Sequence, residues 1–349
     1  MAPGIMIKER QVSSSDPVYV IAEMSANHNR NYQKAEEIIR AAKDCGADAV
    51  KIQTYTPDTI TIDCRNEYFS IKGNIWEGQN LYQLYQEAYT PWEWQPSLKH
   101  LANDLGLDFF SSPFDHTAVD FLEKMEVPAY KIASFELIDI PLIKRIAQTG
   151  KPVILSTGMA SLGEIEEAIT TLNQNGCRQI VLLKCTSAYP APPETMNLRT
   201  LPHLAQAFHL PVGLSDHTLG SAVPVAAVSL GACVVEKHLC ISRDEPGPDA
   251  AFSMEPQEFR QMVRDIRTVE KALGKVNYTA TEKEKANRTL RRSLFAVADI
   301  SKGERLTGKN IRSIRPGAGL HPRYLETVIG KKAIIRIQKG TPLDWKLFR

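Results

Sequence analysis

At 349 residues, 43% of them hydrophobic, the chain can bury a large core, which excludes global disorder. A formal net charge of +2, with no basic stripe interleaved with aromatics, argues against a nucleic-acid partner. The longest near-apolar run, VPVAAVSLGACVV, has thirteen residues, too few to cross a bilayer, and MAPGIMIKERQVSSSDP lacks the apolar centre of an export signal, so a cytoplasmic location is expected.

From the N-terminus, eight short β-rich runs follow one another: VYVIAEMSA, DAVKIQTY, LDFFSSPF, AYKIAS, PVILSTG, IVLLKCTS, PVGLSDH and CVVEKHL. Most are nearly continuous in apolar residues before turning polar, as strands covered on both faces are. Segments with helical spacing lie between them. YQKAEEIIRAAKDCG puts Ala35, Ile38, Ile39 and Ala42 on one face and stops at Gly46. SLGEIEEAITTLNQNG opens with Ser161 and has Glu164 three residues on, a capping-box spacing, and stops at Gly176. Strand–helix units repeated eight times predict an α/β fold, a (β/α)8 TIM barrel. The competing open dinucleotide-binding sheet lacks its G-x-G-x-x-G after the first strand.

The connection from Pro57 to Pro91 is long and contains NEYFSIKGNIWEGQNLYQLYQ, which marks it as functional or locally structured. After Gly274 the pattern changes. A polar stretch, NYTATEKEKANRTLRRS, leads into short β-like runs broken by turns, a small β-rich domain that is marginal alone and needs a surface to dock on. The expected division is a barrel over residues 1–272, a linker over 273–290 and a small domain over 291–349. The six cysteines form no C-x-x-C pair and read as reduced, mostly core, thiols.

In such a barrel the active site forms at the carboxyl ends of the strands. Polar residues gather there: Glu23, Lys51, Gln53, Ser111, Ser112, Lys131, Ser134, Glu136, Ser156, Lys184, Ser187, Tyr189, Ser215, Glu236, His217 and His238. Any one of them alone reads as a snorkelling, capping or structural residue; their coincidence on eight strand ends does not. Alternation along a strand puts Lys51 with Gln53, Ser215 with His217, and Glu236 with His238. Lys131 and Glu136 differ in parity, so both face inward only if a bulge or the strand end intervenes. The lysines and hydroxyls suit a phosphate or a phosphorylated carboxylate. His217 and His238 suit one divalent cation with open positions for water and substrate. Glu23, Glu136 and Asp249 are candidate proton carriers.

IAEMSANHN, CGADAVKIQTYTPD, FFSSPF, YKIASFE, ILSTGMA, KCTSAYP, GLSDHTLG and VEKHLC resemble the sialic acid synthase family, and DISKGERLTGKNIRSIRPGAGLHP resembles its antifreeze-like (SAF) domain. The resemblance implies condensation of phosphoenolpyruvate with an open-chain N-acetylated aminosugar to give a nonulosonic acid and phosphate. It implies a divalent metal, Mn2+, Mg2+ or Co2+, on His217 and His238. It implies phosphoenolpyruvate contacts at Lys51, Lys131, Ser134, Ser156, Ser187 and Ser215, with Ser111 matching a phosphate-binding threonine and the adjacent Ser112 the alternative for that role. Gln53, Tyr189 and Asp249 match acceptor-sugar contacts, and Glu23 and Glu136 match acidic residues near the reacting centre. Arg315 matches an arginine inserted into the partner's barrel, which implies a domain-swapped homodimer. YFSIKGNIWEGQNLYQLYQEAYTPWEW and RPGAGLHPRY resemble the pseudaminic acid branch, whose acceptor is 2,4-diacetamido-2,4,6-trideoxy-altrose. N-acetylneuraminate or legionaminate synthesis is the alternative within the family. A Schiff-base aldolase using Lys51, Lys131 or Lys184 is the alternative outside it.

Overall fold

A computed structural model describes residues 4–73, 75–245 and 247–349. The first three residues of the N-terminal segment and Asn74 of the long connection therefore lie outside the described residues. The chain divides into two compact units, Met1–Gly274 and Lys275–Arg349.

The first unit opens with an antiparallel hairpin, β1 (Ile5–Ile7) and β2 (Arg10–Val12). Eight parallel strands then close into a barrel: β3 (Tyr19–Glu23), β4 (Ala49–Thr54), β5 (Asp108–Pro113), β6 (Tyr130–Ile132), β7 (Val153–Ser156), β8 (Ile180–Cys185), β9 (Val212–Asp216) and β10 (Val234–His238), with β10 pairing back onto β3. All eight predicted runs supply a strand. They are buried along almost their whole length because helices cover the outside and side chains fill the inside.

The helices follow their sequence signals. Tyr32–Cys45 buries Ala35, Ile38, Ile39 and Ala42, takes its cap from the Asn31 side chain and ends at Gly46, whose φ of 85° is the left-handed conformation glycine adopts freely. Leu162–Gln174 starts at the predicted Ser161–Glu164 capping box. The long connection after β4 holds a helix over Pro57–Ile60, a 3-10 turn over Glu67–Phe69 and a helix over Leu81–Ala88.

The second unit begins with an exposed stretch containing the helix Glu282–Asn287, capped by Thr281. Two antiparallel strands follow, β11 (Ser293–Ala296) and β12 (Ile311–Ile314). Further pairing comes as isolated bridges, Ile300 with Ile337, Arg305 with Lys332 and Ala333 with Phe348. Leu294, Ile300, Leu306, Ile311, Val328, Ile337 and Leu343 form its own core.

Candidate active site

Parallel pairing in register places the polar strand ends side by side. Glu23 pairs with Lys51 and with His238, and Glu236 with Ser215. Lys51 Nζ lies 2.7 Å from Glu23 Oε2 and 3.9 Å from Glu236 Oε2, and Lys131 Nζ lies 3.9 Å from Glu236 Oε1. Lys131 also donates to Ser156 Oγ at 2.6 Å, and Ser215 donates to Glu236 at 3.0 Å. Gln53 Nε2 donates to Glu23 Oε1 and to Ser25 Oγ at 3.2 and 3.0 Å. The result is a buried ring of lysines and carboxylates in which Glu236 bridges two lysines, while burial pushes Glu23 up to about 7 against the pull of Lys51.

The field in this ring is uneven. Burial disfavours the Lys51 ammonium, but Glu23 and Glu236 outweigh it and raise its pKa. Burial wins at Lys131, helped by the like charge of Lys51, and lowers its pKa. At Glu236 burial is overcome by the two lysines, so that carboxylate stays ionised. Glu136 differs: burial pushes it up to about 7. Its Oε2 is enclosed with no hydrogen-bond partner among the described residues. The parity conflict between Lys131 and Glu136 is resolved by the strand end. β6 stops at Ile132, and Glu136 sits on the 3-10 turn Ser134–Ile138.

Beside the lysines, three strand ends converge on a glycine. Gly158 N–H donates to Ser134 Oγ at 3.2 Å, and a Cβ at Gly158 would collide with the hydroxyls of Ser134 and Ser187. This is a cradle of two hydroxyls against bare backbone, suited to phosphate oxygens. Cys185 Sγ lies between the cradle and the histidines, 3.9 Å from Ser187 Oγ and 4.0 Å from His217 Nδ1.

His217 and His238 have ring centroids 5.4 Å apart. His217 Nδ1 lies 3.0 Å from the Thr186 carbonyl oxygen, and burial is outweighed by contacts with Cys185 and Thr186, which raise its pKa; in its neutral form, with the proton on Nδ1, Nε2 keeps a lone pair for a metal. Burial, reinforced by the positive charges of His217 and Lys51, keeps His238 well below the ordinary imidazole range, so it is neutral. Its Nδ1 is buried without a protein partner among the described residues. These donors fit a divalent cation. Among the described residues no cluster of three or more His, Cys, Asp or Glu side chains is arranged for a metal, so a cation held by this pair would need water and substrate as its other ligands.

Tyr189 packs against His217 with ring centroids 4.4 Å apart and planes tilted by 49°, and Asp249 accepts from Ala26 N–H at 3.1 Å. Arg315 belongs to the second unit, where it is exposed just beyond β12.

One predicted residue is turned away. The Ser111 hydroxyl lies 2.6 Å from Thr54 Oγ1 and donates to the Ile52 carbonyl, outside the lysine ring. Ser112, paired with the inward Gln53, instead lies 3.4 Å from Lys51 Nζ. Alternation along β5 puts the Ser112 hydroxyl on the Lys51 side and Ser111 on the other. Sequence reasoning also passed over Cys185, read as a core thiol, and Gly158. Glu236 shares a face with His238 by alternation, which was the signal the sequence offered; its place opposite two lysines emerges only in the closed barrel.

An eight-stranded parallel barrel with a buried lysine–carboxylate ring and an imidazole pair at its carboxyl end has the arrangement of a barrel enzyme. The NeuB family model matches residues 38–278 and the SAF domain model residues 291–349. The chain belongs to the NeuB family. It is 44% identical to a pseudaminic acid synthase of Helicobacter pylori over 94% of this chain and 97% of that one. It is 38% identical to an N,N'-diacetyllegionaminic acid synthase of Legionella pneumophila over 95% of each chain. The solved N-acetylneuraminic acid synthetase of Leptospira borgpetersenii, in complex with citrate, superposes with a TM-score of 0.74 at 29% identity, covering 82% of this chain and 95% of that one. Among the described residues no helix is long and apolar enough to cross a membrane.

Proposed function

We propose that the protein condenses phosphoenolpyruvate with open-chain 2,4-diacetamido-2,4,6-trideoxy-altrose, giving pseudaminic acid and phosphate. The observation that carries this is the presence, in one barrel mouth, of the Ser134–Ser187–Gly158 cradle and the His217–His238 pair, with Cys185 touching both. The acceptor assignment rests on the greater identity to the pseudaminic acid synthase than to the legionaminic acid synthase.

In this reading the cradle holds the phosphate of phosphoenolpyruvate, and Lys51 and Lys131 neutralise phosphate and carboxylate. A Mn2+, Mg2+ or Co2+ ion held by His217 and His238 would supply Lewis-acid polarisation of the acceptor carbonyl. Tyr189, Gln53 and Asp249 orient the acceptor. The C2=C3 electron pair of phosphoenolpyruvate forms the new bond from C3 to the aldehyde carbon, and the aldehyde oxygen takes up a proton. Water adds to the oxocarbenium carbon C2, and Glu136 accepts its proton. The remaining hydroxyl proton leaves as the C2 carbonyl forms and the C2–O bond to phosphate breaks.

The proposal includes a barrel over 1–272, a linker over 273–290 and an antifreeze-like (SAF) domain over 291–349. It also includes a domain-swapped homodimer, in which Arg315 of each chain reaches the other's barrel. The reaction belongs in the cytoplasm, where phosphoenolpyruvate is made. A phosphate-release assay with phosphoenolpyruvate, Mn2+ and a panel of the diacetamido-trideoxy hexoses and N-acetylmannosamine tests the function. Release with the altro acceptor and no borohydride-trapped pyruvate adduct supports it. A trapped lysine adduct with no phosphate release would establish the aldolase instead.

A further inference from the structure

Trp76 comes from the tip of the long connection after β4, between the bridged residues Ser70 and Asn80. That tip is held by Ile71 N–H to Gln79 O at 2.9 Å and by Gly78 N–H to Ile71 O at 3.0 Å. The Trp76 indole N–H donates 3.0 Å to the carbonyl of Pro248, next to Asp249. Its ring packs on Tyr189 and Phe252, with centroids 5.7 and 6.5 Å away. Those two rings flank the imidazoles. Tyr189 is 4.4 Å from His217, and Phe252 is 4.9 Å from His238 and 6.1 Å from His217. Three aromatic rings from three separate connections therefore make one wall beside the histidine pair.

The wall and the cradle are chemically opposite. Lysines and hydroxyls gather on the side of Ser134 and Ser187, where the Tyr189 hydroxyl is hydrogen-bonded to Ser187, whereas the Trp76 and Phe252 rings offer carbon, with the indole N–H already engaged. An acceptor whose aldehyde met the histidines would have this wall along one side of its chain. A C6 methyl and acetamido methyls match the carbon of Trp76 and Phe252. A C6 hydroxymethyl laid on those two rings would lose water and gain no partner from either.

We propose that Trp76 is a specificity-determining residue whose wall, shared with Tyr189 and Phe252, selects an acetamido sugar with a deoxygenated end over one ending in a hydroxymethyl group. This rests on the nonulosonate-synthase reading given above. An apolar site discriminates against an added hydroxyl by at most about 100-fold, which sets the size of the effect.

The test measures kcat/KM of the wild type, Trp76→Ala and Trp76→Leu with 2,4-diacetamido-2,4,6-trideoxy-altrose and with N-acetylmannosamine, alongside KM for phosphoenolpyruvate. The wild type should prefer the deoxy acceptor. In Trp76→Ala that preference should shrink by about 10-fold or more, chiefly through acceptor KM, with KM for phosphoenolpyruvate unchanged. Trp76→Leu keeps an apolar surface and should retain more of the preference; it carries the measurement if the alanine variant does not fold. An equal loss on both acceptors, or an unchanged ratio, overturns the role of Trp76 and leaves the synthase reading standing. A wild type that releases phosphate with neither acceptor overturns both.

Discussion

At the scale of single residues, the account turns on where protons sit. Glu136 is pushed up to about 7 by burial, so near neutrality a base at this position is part protonated. A base works in its ionised form, so kcat/KM should fall as pH drops through about 7, where burial also places Glu23. Glu136→Gln should lose about 100-fold or more in kcat, and pH–rate profiles of Glu136→Gln and Glu23→Gln assign the inflection: the account expects it to go with Glu136, and its survival in Glu136→Gln would assign it to Glu23. The histidine pair makes a second prediction. His217→Ala or His238→Ala should weaken Mn2+ binding by at least about 10–100-fold, the loss seen even for residues behind a metal's own ligands. Titration of the free-ion EPR signal measures this without relying on turnover. Most of these residues were legible because a polar side chain ending an apolar strand is unusual. Ser111 and Ser112 were not separable, since adjacent serines look alike until pairing with Gln53 fixes which one faces Lys51. Cys185 was hidden by its residue type, because a buried thiol usually belongs to the core.

At the scale of elements, alternation along β9 and β10 builds two layers. Ser215, His217, Glu236 and His238 face the mouth, while Asp216 and Lys237 point the other way and pair at 2.5 Å with no exposed surface. Lys237 also donates to the Thr218 carbonyl, and Asp216 accepts from Thr218 N–H at 3.1 Å. This pair ties together the two strands that carry the histidines. Removing one partner of a buried pair strands the other charge, so Lys237→Ala should cost about 3–5 kcal/mol of unfolding free energy in denaturant titration. The turn after β7 makes a different prediction. Gly158→Ala would push a methyl group into the Ser134 and Ser187 hydroxyls, and KM for phosphoenolpyruvate should rise at least about 10-fold with little loss of stability. The strands and the helix Tyr32–Cys45 were readable because each carries its own period and stop signal. The cradle was not. Gly158 is informative only against residues from β6 and β8 connections, and Trp76 meets Pro248 from 172 positions away. No local pattern encodes such contacts.

At the scale of the molecule, a chain with a large barrel and a small unit with a core of only a few side chains raises the question of what the small unit does. In the proposed swapped dimer it completes a neighbour's site through Arg315. Arg315→Ala and Glu136→Gln proteins, each impaired, should then complement when unfolded together and refolded. Random pairing gives one intact site in each mixed dimer, about a quarter of all sites. Activity no greater than the sum of the separate variants would show that Arg315 acts within its own chain or not at all. The division into two units was visible as a change of pattern near Gly274, but the second unit is less regular than its β-like runs promised, with two strands among the described residues and the remaining pairing as single bridges. The central claim is tested most directly by a crystal structure with Mn2+ and phosphoenolpyruvate, collected at the manganese edge. The account predicts anomalous density shared by His217 and His238 and the phosphate seated on Ser134, Ser187 and the Gly158 backbone. Metal bound elsewhere, or phosphoenolpyruvate lying away from the Gly158 cradle, would contradict it.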